Sequence, residues 1–142
     1  MASEGQGEFR DSKFGHLHIG ILMEPNVYFA TKDSKAELLA SFMMEGFGSV
    51  PIVDDQHKLL GIVSEFDLLT ALRKGEKLSE VSARDIMTAN PLTVTKDTEV
   101  GTLMDVLQNN HLIRVPVVDA VGKLIGIVAR RDILRGYLQT VW

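Results

Sequence analysis

The chain has 142 residues, of which 45% are hydrophobic and 24% are charged, and its net charge is −4. That length fits one ordinary domain or two small ones that share a core, and the composition is that of a folded globular protein. The negative charge argues against nucleic-acid binding, which needs clustered Lys and Arg. The sequence has no cysteine, no apolar run of about 18–20 residues and no signal-peptide pattern, so we expect a cytoplasmic protein without disulfides or a membrane partner.

The sequence repeats itself at a nearly constant offset. The stretch Val50–Asp54 (VPIVD) recurs as VPVVD, and Lys58–Val63 (KLLGIV) recurs as KLIGIV, both 65 positions later. Thr31–Ser34 (TKDS) is matched by TKDT 64 positions later. A repeat of this kind predicts two copies of one supersecondary unit.

The repeat divides the chain into four segments. Residues 1–16 are polar and Gly-rich and are predicted to form a flexible tail. Repeat 1 spans 17–73 and repeat 2 spans 83–142. Between them, residues 74–82 form a charged linker.

Each repeat is predicted to contain a strand, a helix, two strands and a helix. In repeat 1 the spacing of Ser34 and Glu37 predicts a capping box that opens a helix over about 35–45, and Gly46 ends that helix. Two apolar runs with a short polar joint then predict a β-hairpin, followed by a second helix from about Ser64. The fold class is therefore mixed α/β, built from two β-α-β-β-α repeats.

The two strand-to-helix turns are the candidate binding elements. They read Gly61–Asp67 (GIVSEFD) and Gly126–Asp132 (GIVARRD). A helix N-terminus suits a phosphate, and an aspartate one turn on could accept from both hydroxyls of a ribose. Capping is the alternative, since Ser64 and the following aspartate have capping-box spacing. In repeat 2, Ala129 cannot cap, so capping explains that aspartate less well than ribose binding does.

The Val-Pro-Val-Val-Asp strand and the Gly-Ile-Val-x-x-x-Asp turn, present twice in register, resemble the cystathionine-β-synthase (CBS) domain family. The resemblance implies a tandem pair, or Bateman module, in which two sheets pack about a pseudo-twofold axis and leave two equivalent clefts between the repeats. It also implies that two such pairs associate as a homodimer. The regulated effector would be a separate protein.

The resemblance assigns a set of nucleotide-binding residues to each cleft. The first cleft would use Ile62, Ser64, Phe66, Asp67, Asn90, Pro91, Leu92, Thr95, Ile113 and Arg114. The second would use Asn26, Val27, Tyr28, Thr31, Gly48, Ser49, Ile127, Arg131 and Asp132. Phe66 stands where a polar or basic residue is common, and Ala129 lacks the phosphate-binding hydroxyl, so we expect the two clefts to bind unequally.

Together these features predict a regulatory module that binds AMP, ADP or ATP and transmits a conformational change to a partner. We expect no cofactor, no metal site, and Mg²⁺ only together with a nucleotide. Two alternatives remain open, namely a dimerisation or docking module without a nucleotide, and a binder of another adenosyl ligand such as S-adenosylmethionine or NAD. An enzyme would need an activated nucleophile or paired carboxylates, and Ser64 opens a helix without a nucleophile elbow.

Overall fold

The structure is a computed structural model, and it describes residues 12–139. Within this range no helix is long and apolar enough to cross a membrane. A 3-10 turn at Ile19–Ile21 precedes the other elements. The helices are α1 (Ala36–Met44), α2 (Glu65–Arg73), α3 (Ala83–Ile86), α4 (Val100–Asn109) and α5 (Arg130–Leu138). The strands are β1 (Ser49–Val53), β2 (Leu59–Ser64), β3 (Thr88–Ala89), β4 (Arg114–Val118) and β5 (Leu124–Ala129).

Both predicted hairpins are present, and the mixed α/β fold class is confirmed. Strand β2 pairs antiparallel with β1 on one side and with β3 on the other, while β4 pairs with β5 in a second sheet. The predicted strands at 28–30 and 92–94 are reduced to single-residue parallel bridges, from Ala30 to Ile52 and from Val94 to Val117.

The chain forms two compact units, which we name after the repeat that supplies their hairpin strands. Among the described residues, the repeat-1 unit comprises Asn26–Pro91 and Val121–Leu124, and the repeat-2 unit comprises Leu92–Ala120, 12–25 and 125–139. Residues 17–25, at the start of repeat 1, therefore belong to the repeat-2 unit. Residues 83–91, at the start of repeat 2, belong to the repeat-1 unit.

The predicted linker contributes to the repeat-1 unit. Its Leu78 and Val81 carbonyls accept hydrogen bonds from the backbone N–H groups of Glu37 and Ala36, at 3.0 and 2.8 Å. These groups have no partner inside helix α1, so the linker caps the helix. The predicted capping box of Ser34 and Glu37 is wrong for this reason, and Ser34 Oγ accepts from Thr31 N–H at 3.0 Å instead. The core of the unit contains Ala30, Ala36, Leu39, Met43, Val50, Ile52, Val63, Leu68, Val81 and Ala83.

The N-terminal segment contributes to the repeat-2 unit. Phe14 is buried and packs edge to face on Tyr137, with ring centroids 5.5 Å apart. The prediction of a flexible tail therefore does not hold for residues 12–16, because an apolar ring among polar neighbours enters the core; residues 1–11 lie outside the described range. The core of this unit contains Phe14, Ile19, Val94, Val100, Leu103, Leu107, Val115, Val117, Val128 and Ile133.

Gly61 and Gly126 lie where another backbone approaches their strand. A Cβ atom at Gly61 would lie 2.7 Å from the Thr88 carbonyl oxygen, and one at Gly126 would lie 2.8 Å from that of Glu24. Glu24 and Ile127 exchange two backbone hydrogen bonds, at 2.8 and 2.9 Å. Glycine is required at both positions because another backbone segment, at Thr88 or at Glu24, packs directly on the strand.

Candidate functional site

The repeat-1 turn carries a complete capping box. Ser64 is the N-cap of helix α2, and its Oγ accepts from Asp67 N–H at 3.3 Å. Asp67 Oδ2 accepts from the Ser64 backbone N–H at 2.8 Å and from its hydroxyl at 3.0 Å. The spacing of these two residues predicted this arrangement, and the half-buried Asp67 is therefore positioned by the helix that it caps.

The repeat-2 turn is capped by its aspartate alone. Asp132 Oδ2 accepts from the Ala129 backbone N–H at 2.8 Å, and its Oδ1 lies 3.0 Å from Arg135 Nη1. The side chain of Asp132 is buried. The expectation that capping explains Asp132 poorly is wrong, because a carboxylate bonds the N-cap N–H whether or not the N-cap residue has a hydroxyl.

The first N–H group of each of these helices is already paired. Glu65 N–H donates to the Gly48 carbonyl at 3.3 Å, and Arg130 N–H donates to the Ile113 carbonyl at 3.0 Å. Gly48 and Ile113 occupy equivalent positions in the two repeats. An anion at either turn would therefore have to use later N–H groups or side chains.

The two turns differ in charge. Helix α2 begins with Glu65, Phe66 and Asp67, and helix α5 begins with Arg130, Arg131 and Asp132. Phe66 is 74% exposed, and Arg131 is exposed as well. An exposed guanidinium favours a phosphate at the repeat-2 turn, whereas the repeat-1 turn presents an apolar ring and a second carboxylate.

The predicted site residues divide between the two units. Both predicted clefts draw on both units, so their composition stays a prediction from the resemblance. The repeat-1 unit contains Asn26, Val27, Tyr28, Thr31, Gly48, Ser49, Ile62, Ser64, Phe66, Asp67, Asn90 and Pro91. The repeat-2 unit contains Leu92, Thr95, Ile113, Arg114, Ile127, Arg131 and Asp132.

Within the repeat-1 unit, Asn90 lies beside strand β2. Asn90 N–H donates to the Leu60 carbonyl at 3.2 Å, and Thr88 pairs with Ile62. Asn90 has a φ of 50°, a left-handed conformation that asparagine adopts more readily than most residues. The structure therefore brings Asn90 close to the strand that carries Ile62, as the resemblance implied.

Ser49 holds a buried polar atom with no hydrogen-bond partner among the described residues. It begins strand β1 opposite Ser64, and only 6% of the residue is exposed. Its Oγ is the one buried side-chain polar atom in residues 12–139 without such a partner. Because buried polar groups are nearly always hydrogen-bonded, this hydroxyl calls for an explanation that the sequence could not supply.

The structure also adds two residues around Tyr28 that sequence reasoning missed. The ring of Tyr28 packs on those of Phe42 and Phe47, with centroids 4.5 and 4.6 Å apart. The aromatic side chains were visible in the sequence, but their convergence depends on tertiary packing. No group of three or more metal-ligating side chains is found in the described part of the chain.

Comparison with known proteins identifies the family. A family model described as the CBS domain matches residues 18–74 and 83–139. The chain therefore belongs to the CBS-domain family and carries a tandem CBS pair.

Three similar proteins illustrate what the chain resembles. An uncharacterised protein of Methanopyrus kandleri is 38% identical over 104 residues, which are 72% of this chain and 53% of that protein. The chain thus spans about half the length of that relative. CBSX2 of Arabidopsis thaliana in complex with AMP is 32% identical, with a TM-score of 0.76 over 87% of this chain and 97% of that one. The CBS pair of protein MJ0100, in complex with 5′-methylthioadenosine and S-adenosyl-L-methionine, is 26% identical, with a TM-score of 0.77 over 86% of this chain and 96% of that one.

Proposed function

We propose that this CBS pair is a regulatory module that binds an adenine nucleotide of the AMP, ADP or ATP type, and that it is not itself an enzyme. The AMP complex of CBSX2 supports the ligand class, because that protein has the same pair of domains. S-adenosylmethionine remains the rival adenosyl ligand, since it occurs in the complex of MJ0100.

The observation that carries the proposal is the buried hydroxyl of Ser49. A buried hydroxyl without a partner costs about 1–3 kcal/mol, and a ligand that supplies the partner offsets that cost. Ser49 follows Gly48, whose carbonyl accepts from the first N–H of helix α2.

The proposed roles follow from the chemistry of each side chain. Asp67 and Asp132 accept from ribose hydroxyls, and the aliphatic Ile62 and Ile127 flank the base. Because the first helical N–H groups are paired, Arg131 is the main phosphate ligand at its turn. Mg²⁺ would enter only together with the nucleotide.

Regulation would proceed by a population shift. A ligand that contacts both repeats favours the arrangement of the repeats for which its affinity is higher, and only that difference in affinity drives the response. The signal then passes to an effector.

A thermal-shift titration with AMP, ADP, ATP, S-adenosylmethionine and NAD tests the proposal. At a ligand concentration 100 times Kd, binding adds about 2.7 kcal/mol of stability, which raises Tm by several degrees. Ser49→Ala should leave the Tm of the free protein unchanged or higher and reduce the shift with ligand. Ser41→Ala, on the exposed face of helix α1, is the matched control. If none of these compounds stabilises the unaltered protein, the proposal fails.

The exposed helix faces favour a second candidate, a homodimerisation or docking module. Helix α2 presents Phe66, Leu69 and Leu72 on one face, exposed by 74, 64 and 52%. Helix α5 presents Leu134, Tyr137 and Leu138. Apolar faces of this kind mark contacts with another protein.

Analytical ultracentrifugation tests this candidate. Leu69→Glu should weaken self-association at least tenfold, whereas Thr102→Glu, at an exposed position of helix α4, should change it little. A monomer at every concentration would remove the homodimer. Self-association without binding of any adenosyl compound would favour the docking module over the nucleotide sensor.

A further inference from the structure

Met23 and Met87 each place a sulfur atom on a glycine of a strand. The Met87 sulfur lies 2.6 Å from the position that a Cβ atom on Gly61 would take, and the Met23 sulfur lies 3.0 Å from the equivalent position on Gly126. Both methionines are half-buried and pack against the core of their own unit. A flexible thioether therefore fills the space that the glycine leaves open.

The two methionines occupy equivalent positions in the two repeats, since they lie 64 residues apart. No other pair among the six methionines of the sequence has this relation; Met43, for example, is matched by Leu107. The sequence also has no cysteine, so methionine is its only source of sulfur chemistry. The same contact between a thioether and a strand glycine therefore occurs once in each unit.

Few backbone hydrogen bonds hold each methionine segment on its strand. Strand β3, which follows Met87, has two residues. Glu24, which follows Met23, exchanges two hydrogen bonds with Ile127. Contacts that depend on so few hydrogen bonds open at a low cost in free energy, so a chemical change at the sulfur can shift their equilibrium.

We propose that Met23 and Met87 are paired oxidation sites, at which a hydroperoxide loosens the strands that lead into the two aspartate-bearing turns. With hydrogen peroxide, a lone pair of the thioether sulfur attacks one oxygen, and an S–O bond forms as the O–O bond breaks. The departing hydroxide takes the proton of the new S–OH group and leaves as water. The thioether is oxidised to a sulfoxide, and the peroxide is reduced.

The sulfoxide disturbs the contact because it adds a polar oxygen where the sulfur already leaves no room for a Cβ atom on the strand. The methionine segment or the strand must then move. Strands β2 and β5 end at Ser64 and Ala129, which are the N-caps of helices α2 and α5. Movement of either strand therefore reaches the turn that carries Asp67 or Asp132. The inference goes beyond the proposed function, since it requires no nucleotide.

Peptide mass spectrometry after a brief exposure to hydrogen peroxide shows which sulfur atoms react. Met44 is 80% exposed and should be oxidised first, Met23 and Met87 should follow while the protein is folded, and Met43, which is 5% exposed, should resist. Hydrogen exchange should then become severalfold faster in residues 59–64 and 124–129, and Tm should fall by several degrees. Methionine sulfoxide reductases A and B should reverse both changes.

Leucine variants separate the contributions of the sulfur atoms, because exchanging methionine for leucine nearly conserves volume. After peroxide treatment, Met87→Leu should prevent the faster exchange in 59–64, and Met23→Leu should prevent it in 124–129. The matched controls are the exposed Met44 and the half-buried Met104 of helix α4, and Met44→Leu and Met104→Leu should show the faster exchange in both strands.

The exchange measurement on the unaltered protein decides the matter if a leucine variant fails to fold. Met23 and Met87 that stay unoxidised while the protein is folded would overturn the proposal. Unchanged exchange of both strands after their oxidation would overturn it as well. Either result leaves the binding of an adenine nucleotide untouched, because the unoxidised protein tests that function separately.

Discussion

The strand-to-helix turns of the two repeats share a glycine and an aspartate but differ in the residues between them. Asp67 caps helix α2 reciprocally with Ser64, while Asp132 caps helix α5 alone and also contacts Arg135. The comparison shows that each aspartate has a structural role, whatever it binds. A loss of binding in an aspartate variant is therefore informative only when the stability of the variant is measured too.

The largest effects are expected at the two shared glycines. Gly61→Ala and Gly126→Ala would place a Cβ atom 2.7 and 2.8 Å from a backbone carbonyl oxygen. Overpacking of this kind costs about 1–3 kcal/mol, and denaturant unfolding should show a loss of that size in both variants. Neither Gly61 nor Gly126 has a positive φ, so the loss would come from the close contact and not from left-handed backbone strain. An unchanged free energy of unfolding in Gly61→Ala or Gly126→Ala would contradict the close approach.

The aspartates should differ in their structural cost. Asp132→Ala leaves a buried N–H without an acceptor and should cost about 1–3 kcal/mol. Asp67 is more exposed, so water can replace it, and Asp67→Ala should cost about 1 kcal/mol. Chemical denaturation of both variants measures the difference. A larger loss of stability in Asp67→Ala would contradict the expectation that the more buried aspartate contributes more to the free energy of unfolding.

Exchanging the N-cap residues should make the two turns alike. Ser64→Ala removes the acceptor of Asp67 N–H and should destabilise the chain by about 1 kcal/mol, whereas Ala129→Ser gives Asp132 N–H an acceptor and should stabilise it by up to about the same amount. The Tm values of the two single variants provide the test. If both variants shift Tm in the same direction, capping is not the difference between the turns.

The smallest effect concerns the hairpin turn of repeat 1. Asp54 Oδ1 accepts from Lys58 N–H and Gln56 N–H, both at 2.9 Å, and the bond from Lys58 is the main cause of a pKa below the usual 3.8. The charged carboxylate therefore stabilises the fold above its unfolded pKa, and the contribution is lost as the pH falls through the folded value. Asp54→Asn should be slightly less stable at pH 7, and the difference should shrink as the pH falls through the lowered pKa of Asp54. A difference in Tm that does not change with pH would rule out this charge effect.

The sequence predicted features that depend on local signals. The offset of the repeats gave the hairpins and helices, and the spacing of Ser64 and Asp67 gave a capping box that the structure contains. Gly46 at the end of helix α1 has a φ of 104°. Each of these signals lies within a few residues of the structure that it predicts, so no tertiary information was needed.

Features that depend on contacts far along the chain could not be predicted. Phe14 lies in a polar stretch, and nothing near it indicates that it enters the core of the repeat-2 unit. Ser34 and Glu37 have the right spacing for a capping box. Carbonyls of the linker, more than 40 residues later, accept hydrogen bonds from the first N–H groups of helix α1 instead. The unpaired Ser49 hydroxyl and the support of Tyr28 likewise result from tertiary packing.

We propose that both aspartate-bearing turns hold an adenosyl ligand, with unequal affinity. Asparagine still offers an oxygen to the N-cap N–H, so Asp67→Asn and Asp132→Asn preserve capping while weakening the ribose contact. Calorimetric titration with AMP should give two unequal sites in the unaltered protein, and each single variant should lose a different one. The absence of binding to the unaltered protein, or two unchanged sites in both variants, would contradict the account.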